Sequence, residues 1–262
     1  MTRLAYLYAV TRRGTPLPPE LLGVVGEPVR LLEHGELAGV WSPVPAVDFD
    51  EEPLRAHLED LRWLERTARA HQEVVDAVSS RGAVLPLRMA VVYRGEDGVR
   101  RLLTEDHDRL VAGLHRLAGL AEWGVKVYLE EPAPEAESAA GRERAPRPSG
   151  ERPPRPSGRD YLRRRMRRRE REEQDWERAA HACRLLHAQL SRVAQEDRLL
   201  RPQNGELARG GGRNVLNVSY LVAGEREREF VARARESDVP GVRVEVNGPW
   251  APYSFAAPEA AP

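Results

Sequence analysis

The chain has 262 residues, long enough for two modest domains, and its 41% hydrophobic against 31% charged residues is the balance of a soluble globular fold with some polar sequence. Lys plus Arg and Asp plus Glu are equal at 41 each, so no net field draws it to nucleic acid or to an anionic membrane. Its one cysteine, Cys183, excludes an internal disulfide and a cysteine-rich zinc site.

Leu4, Tyr6, Tyr8 and Val10 alternate with Ala5, Leu7 and Ala9, which predicts a first strand. Thr-Arg-Arg-Gly follows where a leader would have a small-residue cleavage site, and no later run is long enough to span a bilayer, so a cytoplasmic chain is expected. The stretch from Pro18 reads as a short helix closed by Gly26. Two apolar runs, Val29 to Leu32 and Leu37 to Trp41, are joined by Glu33-His34-Gly35-Glu36 and predict a hairpin. Beyond the proline-rich stretch from Pro43 to Pro53, Leu61, Leu64, Ala68, His71, Val75 and Val78 recur at steps of three and four. A long helix from Leu54 to Val78 is expected, with His71 as a hydrogen-bonded residue on its apolar stripe.

The run AVLPLRMAVVY, Ala83 to Tyr93, is apolar on both faces and predicts a central strand, with a bulge at Pro86, which lacks an N–H. Arg88 within it needs a carboxylate or water. A second helix from about Asp97 to Leu117 carries Val99, Leu103, Leu110, Leu114 and Leu117 in register. Then EWGVKVYLE, Glu122 to Glu130, alternates an apolar face with a polar one holding Glu122 and Lys126. If Arg88 lies on that face, Glu122 is its partner, and His71, Arg88, Glu122 and Lys126 make up a structural polar cluster. The order strand, short helix, strand, strand, long helix, strand is that of a ferredoxin-like βαββαβ unit, here with an extra helix and strand appended.

Residues 131–157 are rich in Pro, Arg, Glu and Ser and read as a flexible linker. A long helix follows, highly charged from Arg159 to Gln174 and then striped by Trp176, Ala179, Ala180, Cys183, Leu186, Leu190 and Val193; Cys183 on that stripe is packing. Leu199 to Ala208 is a weak strand and Asn214 to Val222 a strong one. Between them Gly210-Gly211-Gly212 lacks the Lys-Ser/Thr of a phosphate loop and reads as a hairpin turn. A helix from Glu225 to Glu236 and a strand from Val242 to Val246 complete the pattern. Near the C-terminus, Trp250, Tyr253 and Phe255 stand among prolines, either as a cover for the second domain or as a partner-binding surface.

No enzyme, metal or cofactor is expected. His34, His57, His71, His107, His115, His181 and His187 are scattered, and neither HExxH, GxSxG nor a paired-ligand spacing occurs. The basic run from Arg159 to Arg171 offers charge for phosphates, but Glu170, Glu172 and Glu173 are interleaved with it or follow at once and no base-reading motif accompanies it. Nucleic-acid binding through that run is the alternative function.

AVLPLRMAVVY at Ala83, EWGVKVYLE at Glu122, GRDYLRRR at Gly158, NVSYLV and GPWAPYSF resemble the GvpL/GvpF family of gas vesicle proteins, in order and over nearly the whole chain. The resemblance implies a two-domain α+β protein. Residues 1–130 would form a modified ferredoxin-like domain, residues 158–256 an α+β domain with a long helix on a small sheet, and residues 257–262 a tail. It also implies a minor component or assembly factor of gas vesicles, without enzymatic activity, that associates with the main shell protein, GvpA, and with other gas vesicle accessory proteins. Two departures stand out: Met89-Ala90, where Phe-Gly is common, and the long segment 131–157.

Overall fold

Strand β1, Arg3–Arg12, is buried on both faces from Leu4 to Thr11, and the first sheet is built around it. The structure, a computed structural model, describes residues 3–130, 158–201, 212–236 and 241–256. Antiparallel β3 (Leu37–Pro45) flanks β1 on one side, and the two short strands β4 (Val84–Pro86) and β5 (Val92–Tyr93) flank it on the other. The hairpin strand β2 (Arg30–His34) pairs outside β3, giving the order β2-β3-β1-β4. A register shift between Leu7 and Ala9 puts Tyr8 and Ala9 on the same side as Leu4 and Tyr6, while Ala5, Leu7 and Val10 face the other way.

Both sides are covered. Phe49 of α1 (Ala46–Phe49) and Trp63, Val74, Val75 and Val78 of α3 (Leu61–Ser79) pack on the tyrosine side. Val99 and Leu103 of α4 (Gly95–Glu105) and Leu110 and Leu114 of α5 (His107–Arg116) pack on the other.

Several expectations change here, each for a local reason. The segment after Pro18 forms no helix, because it lies flat on the sheet: the Val24 N–H donates to Tyr8 Oη at 2.9 Å, and a Cβ on Gly23 would stand 2.3 Å from that oxygen. The long helix is broken into α2 (Glu51–His57) and α3, whose N-terminus is capped by the Asp60 carboxylate accepting from the Arg62 and Trp63 N–H groups. The cap turns the buried stripe to Trp63, Thr67, His71, Val74 and Val78, leaving Leu61 78% exposed. The second helix likewise breaks at Asp106 into α4 and α5, yet Val99, Leu103, Leu110, Leu114 and Leu117 all stay buried.

The central strand expected over Ala83 to Tyr93 is two fragments beside β1, and the intervening residues bend at Ala90, whose φ is +67°. The centre of the sheet is β1.

The second sheet has the order β7-β8-β6-β9, all antiparallel, from β6 (Leu120–Leu129), β7 (Glu196–Leu199), β8 (Arg213–Ala223) and β9 (Val242–Trp250). Strand β6, expected as an addition to the first unit, is therefore a central strand of the second sheet. Trp123, Val125 and Val127 on it meet Cys183, Leu186 and Leu190 of α6 (Gly158–Ser191) and Phe230 and Ala234 of α7 (Glu227–Arg235). The short helix α8 (Tyr253–Ala256) bridges the two sheets: Phe255 shares a core with Leu85, Leu114 and Leu221, and Tyr253 packs against the tyrosine side of the first sheet. The linker and tail expectations, Gly210-Gly211 and most of the weak strand to Ala208 lie outside the described residues.

Candidate functional site

The polar chemistry of the molecule converges around α8. Glu122 of β6, 8% exposed, accepts from Ser219 Oγ at 2.7 Å and from the Ser254 N–H at 2.8 Å, and also receives the Ser254 hydroxyl. A carboxylate at this point satisfies the N–H and hydroxyl groups that open α8. At the other end, Arg116 donates to the Phe255 carbonyl and Arg198 to the Ser254 carbonyl, with Arg198 also over the Phe255 ring. Arg116 is held in turn by Glu196 at 2.8 Å. A single helical turn is thus fastened to β6, α5 and β7 by charge-assisted bonds.

Behind α8 runs a relay that fixes the bend in the interrupted strand. The Ala90 N–H donates to Tyr6 Oη at 2.9 Å, so the Tyr6 proton goes to His71 Nδ1 at 3.0 Å, and His71 Nε2–H donates to the Leu87 carbonyl at 3.2 Å. His71 is buried and neutral: desolvation draws its pKa down from 6.5 to about 4, against the raising effect of the Leu87 bond. Burial likewise raises the Tyr6 phenol, which stays protonated.

Beside α8 lies an open cleft of about 970 Å³. Val10, Leu85, Leu87, Val91, Leu102 and Leu110 give it an apolar floor; Arg88, Arg109, Arg116 and Arg198 stand around it against only two carboxylates, Glu196 and Asp197. Arg88 is exposed and makes no hydrogen bond or ion pair among the described residues. Tyr253 also lines the cleft, and its hydroxyl is buried without a partner among the described residues. Concave, apolar and rimmed by cations, this surface suits an apolar chain segment carrying negative charge.

The expected polar cluster is not one cluster. His71 sits in the relay and Glu122 at α8; no ion pair joins Glu122 to Arg88 among the described residues, because serines already occupy the carboxylate and Arg88 points to water at the cleft. Lys126 lies on β6 opposite Asn217 and Glu245, two residues beyond Gly124 from Glu122. The aromatic trio also divides. Phe255 is fully buried and Tyr253 half-buried, so of the three only Trp250, 46% exposed, is broadly accessible. Sequence reading missed the cleft, since its floor comes mainly from β1, β4, α4 and α5 and its arginines from three separate segments, the stretch after β4, α5 and β7.

One arrangement imitates a catalytic set and fails as one. His187 Nδ1 lies 2.8 Å from the Tyr220 hydroxyl and 3.4 Å from Ser191 Oγ, with Asp197 3.7 Å from Nε2. Burial, then the Asp197 charge, raise the Tyr220 pKa, so its retained proton occupies the Nδ1 lone pair that would have to activate the serine. Cys183 is buried and its thiol pushed up to about 11, the wrong direction for a nucleophile. Among the described residues no group of three or more His, Cys, Asp or Glu could hold a metal ion, and no helix is long and apolar enough to cross a membrane.

Residues 4–257 match the family model described as gas vesicle synthesis protein GvpL/GvpF. The chain is 51% identical to gas vesicle protein L of a Streptomyces species, over 97% of this chain and 93% of that one, and 29% identical to gas vesicle protein F of the same organism, over 95% and 98%. The crystal structure of GvpF from Anabaena sp. has the same fold at a TM-score of 0.67, with 19% identity over 98% of both chains. That of GvpF from Microcystis aeruginosa gives 0.65 at 20% identity, covering 98% of this chain and all of the other. Two sheets bridged by α8 are thus the architecture of a gas vesicle protein. Within that class, the chain belongs to the GvpL/GvpF family.

Proposed function

We propose that this protein is a cytoplasmic, non-enzymatic accessory component of gas vesicles that binds the shell protein GvpA, works with other accessory proteins, and supports assembly. Family membership supports the vesicle role; the observation that carries the binding role is the apolar cleft with its arginine rim and an Arg88 that has no partner among the described residues. Subunits that line a gas space must keep apolar faces from water until they polymerise, and a partner with a complementary apolar surface lowers that exposure. The all-antiparallel order β2-β3-β1-β4 supports reading the first sheet and its helices as a modified ferredoxin-like unit whose first crossover is an extended loop. In this reading residues 131–157 link it to a second α+β unit that borrows β6.

Pull-down of GvpA by the full chain tests the binding role. Arg88→Glu, in the cleft, and Trp250→Ala, outside it on β9, change exposed side chains, so loss of capture with unchanged circular dichroism is expected for each; undiminished capture by Arg88→Glu would remove the cleft from the account, and undiminished capture by Trp250→Ala would remove the exposed aromatic. Nucleic-acid binding is the second reading, favoured by the exposed Arg159, Arg163, Arg165, Arg167 and Arg169 of α6. Exposed Glu170 and Glu173 adjoin them, and a gel shift at physiological salt separates the two readings.

A further inference from the structure

We infer that β9 is a self-pairing edge, through which two copies of this chain join their second sheets into one continuous antiparallel sheet. The direction of its backbone groups follows from one bond. The Glu130 N–H donates to the Gly241 carbonyl at 2.9 Å, and these residues continue the register Leu129↔Val242, so the hydrogen-bonded partners of β6 on β9 are Gly241, Arg243 and Glu245. The N–H and C=O groups of Val242, Val244 and Val246 therefore point away from β6. Strand β9 is at the end of the sheet, and among the described residues nothing bonds those groups. A row of unmet donors and acceptors is a template for another strand.

The side chains decide which strand and in which register. Two copies of β9 that pair antiparallel through their outward-facing residues have three central registers open to them. A twofold axis at Arg243 sets arginine against arginine, and one at Glu245 sets glutamate against glutamate. An axis at Val244 sets Arg243 against Glu245 of the second copy, twice, and pairs Val242 with Val246. In that register alone the charges are complementary, and all the outward groups of the three valines find partners. Charges on an edge ordinarily keep strands apart; here their order, one basic and one acidic residue flanking the axis, selects a copy of the same strand. Within each chain Arg243 already meets Glu245 and Glu130, so pairing extends an existing charge row.

Sedimentation velocity of the full chain across a micromolar range tests this, and its outcome is independent of whether the cleft binds GvpA. The wild-type chain is expected to dimerise with rising concentration. Arg243→Glu and Glu245→Arg, each checked for folding by circular dichroism, are expected to self-associate at least roughly tenfold more weakly, from two like-charged cross-strand pairs. An equimolar mixture of the two variants regains opposite charges at both pairs and is expected to form a one-to-one dimer, which no effect confined to one chain produces. A wild-type monomer throughout, a single variant that dimerises like wild type, or a mixture that stays monomeric would each overturn the inference. So would a monomer in which the Val242, Val244 and Val246 amides resist hydrogen exchange, since the edge would then be closed within one chain.

Discussion

Ala90 is the residue with the plainest local conflict. At φ +67° it sits in the left-handed region that disfavours a Cβ by roughly 1–2 kcal/mol. Ala90→Gly is expected to stabilise the fold by up to about 1 kcal/mol after the extra freedom of glycine in the unfolded chain is counted, read as a higher urea midpoint. No gain would mean that the Tyr6 bond alone holds the bend. His71 gives a pH signature. Its folded pKa, about 4, lies below its ordinary 6.5, so the unfolded chain takes up the proton first. Its contribution is complete above about pH 6.5, declines as pH falls toward 4, and amounts to at most on the order of 3 kcal/mol. Urea unfolding at about pH 7 and about pH 5 should show a loss of stability that His71→Gln reduces; an equal loss in the variant would place the titration elsewhere. At this scale the sequence marks His71 and Cys183 through the apolar stripes that contain them, whereas the positive φ of Ala90 leaves no trace in periodicity. It does not mark the Tyr6 hydroxyl, whose role depends on a loop 84 residues away.

Among the elements, α8 is short, at four residues, and consequential. Its Phe255 ring is fully buried between the sheets, so Phe255→Ala is expected to cost about 3–5 kcal/mol. The same change should loosen Ser254 from Glu122, seen as faster hydrogen exchange at Ser254 together with a lowered melting temperature. A loss of less than about 1 kcal/mol would show that the bridge is not a core element. Strand β6 and the packed half of α6 are legible in the sequence because a period of two or of three to four reflects one buried face, and β1 and β8 because aromatic and β-branched residues mark a strand even where both faces are covered. The breaks at Asp60 and Asp106 are less so, since the apolar stripes run across both. The interruption between Pro86 and Val92 is invisible to periodicity: every residue but Arg88 is apolar enough for a strand, and the bend is set by His71, Tyr6 and Tyr8 from other elements.

At the scale of the whole molecule, alternation in β6 announces one apolar and one polar face but not the sheet it joins. That is settled by β8, whose Val218, Tyr220 and Val222 share a core with Trp123, Val125 and Val127 about a hundred residues earlier in the chain. The cleft is a product of the same long-range assembly, which is why nothing in the local sequence joins Arg88 to Arg109, Arg116 and Arg198. The central claim is that this cleft, beside α8, receives the shell protein. Lys126 is the single lysine, so amine crosslinkers report on little of the surface, and hydrogen exchange is the better probe. Measured on the full chain with and without GvpA, it is expected to show new protection at residues 87–91, 102–116 and 253–256. Protection absent from those residues, or confined to the basic start of α6, would contradict the account.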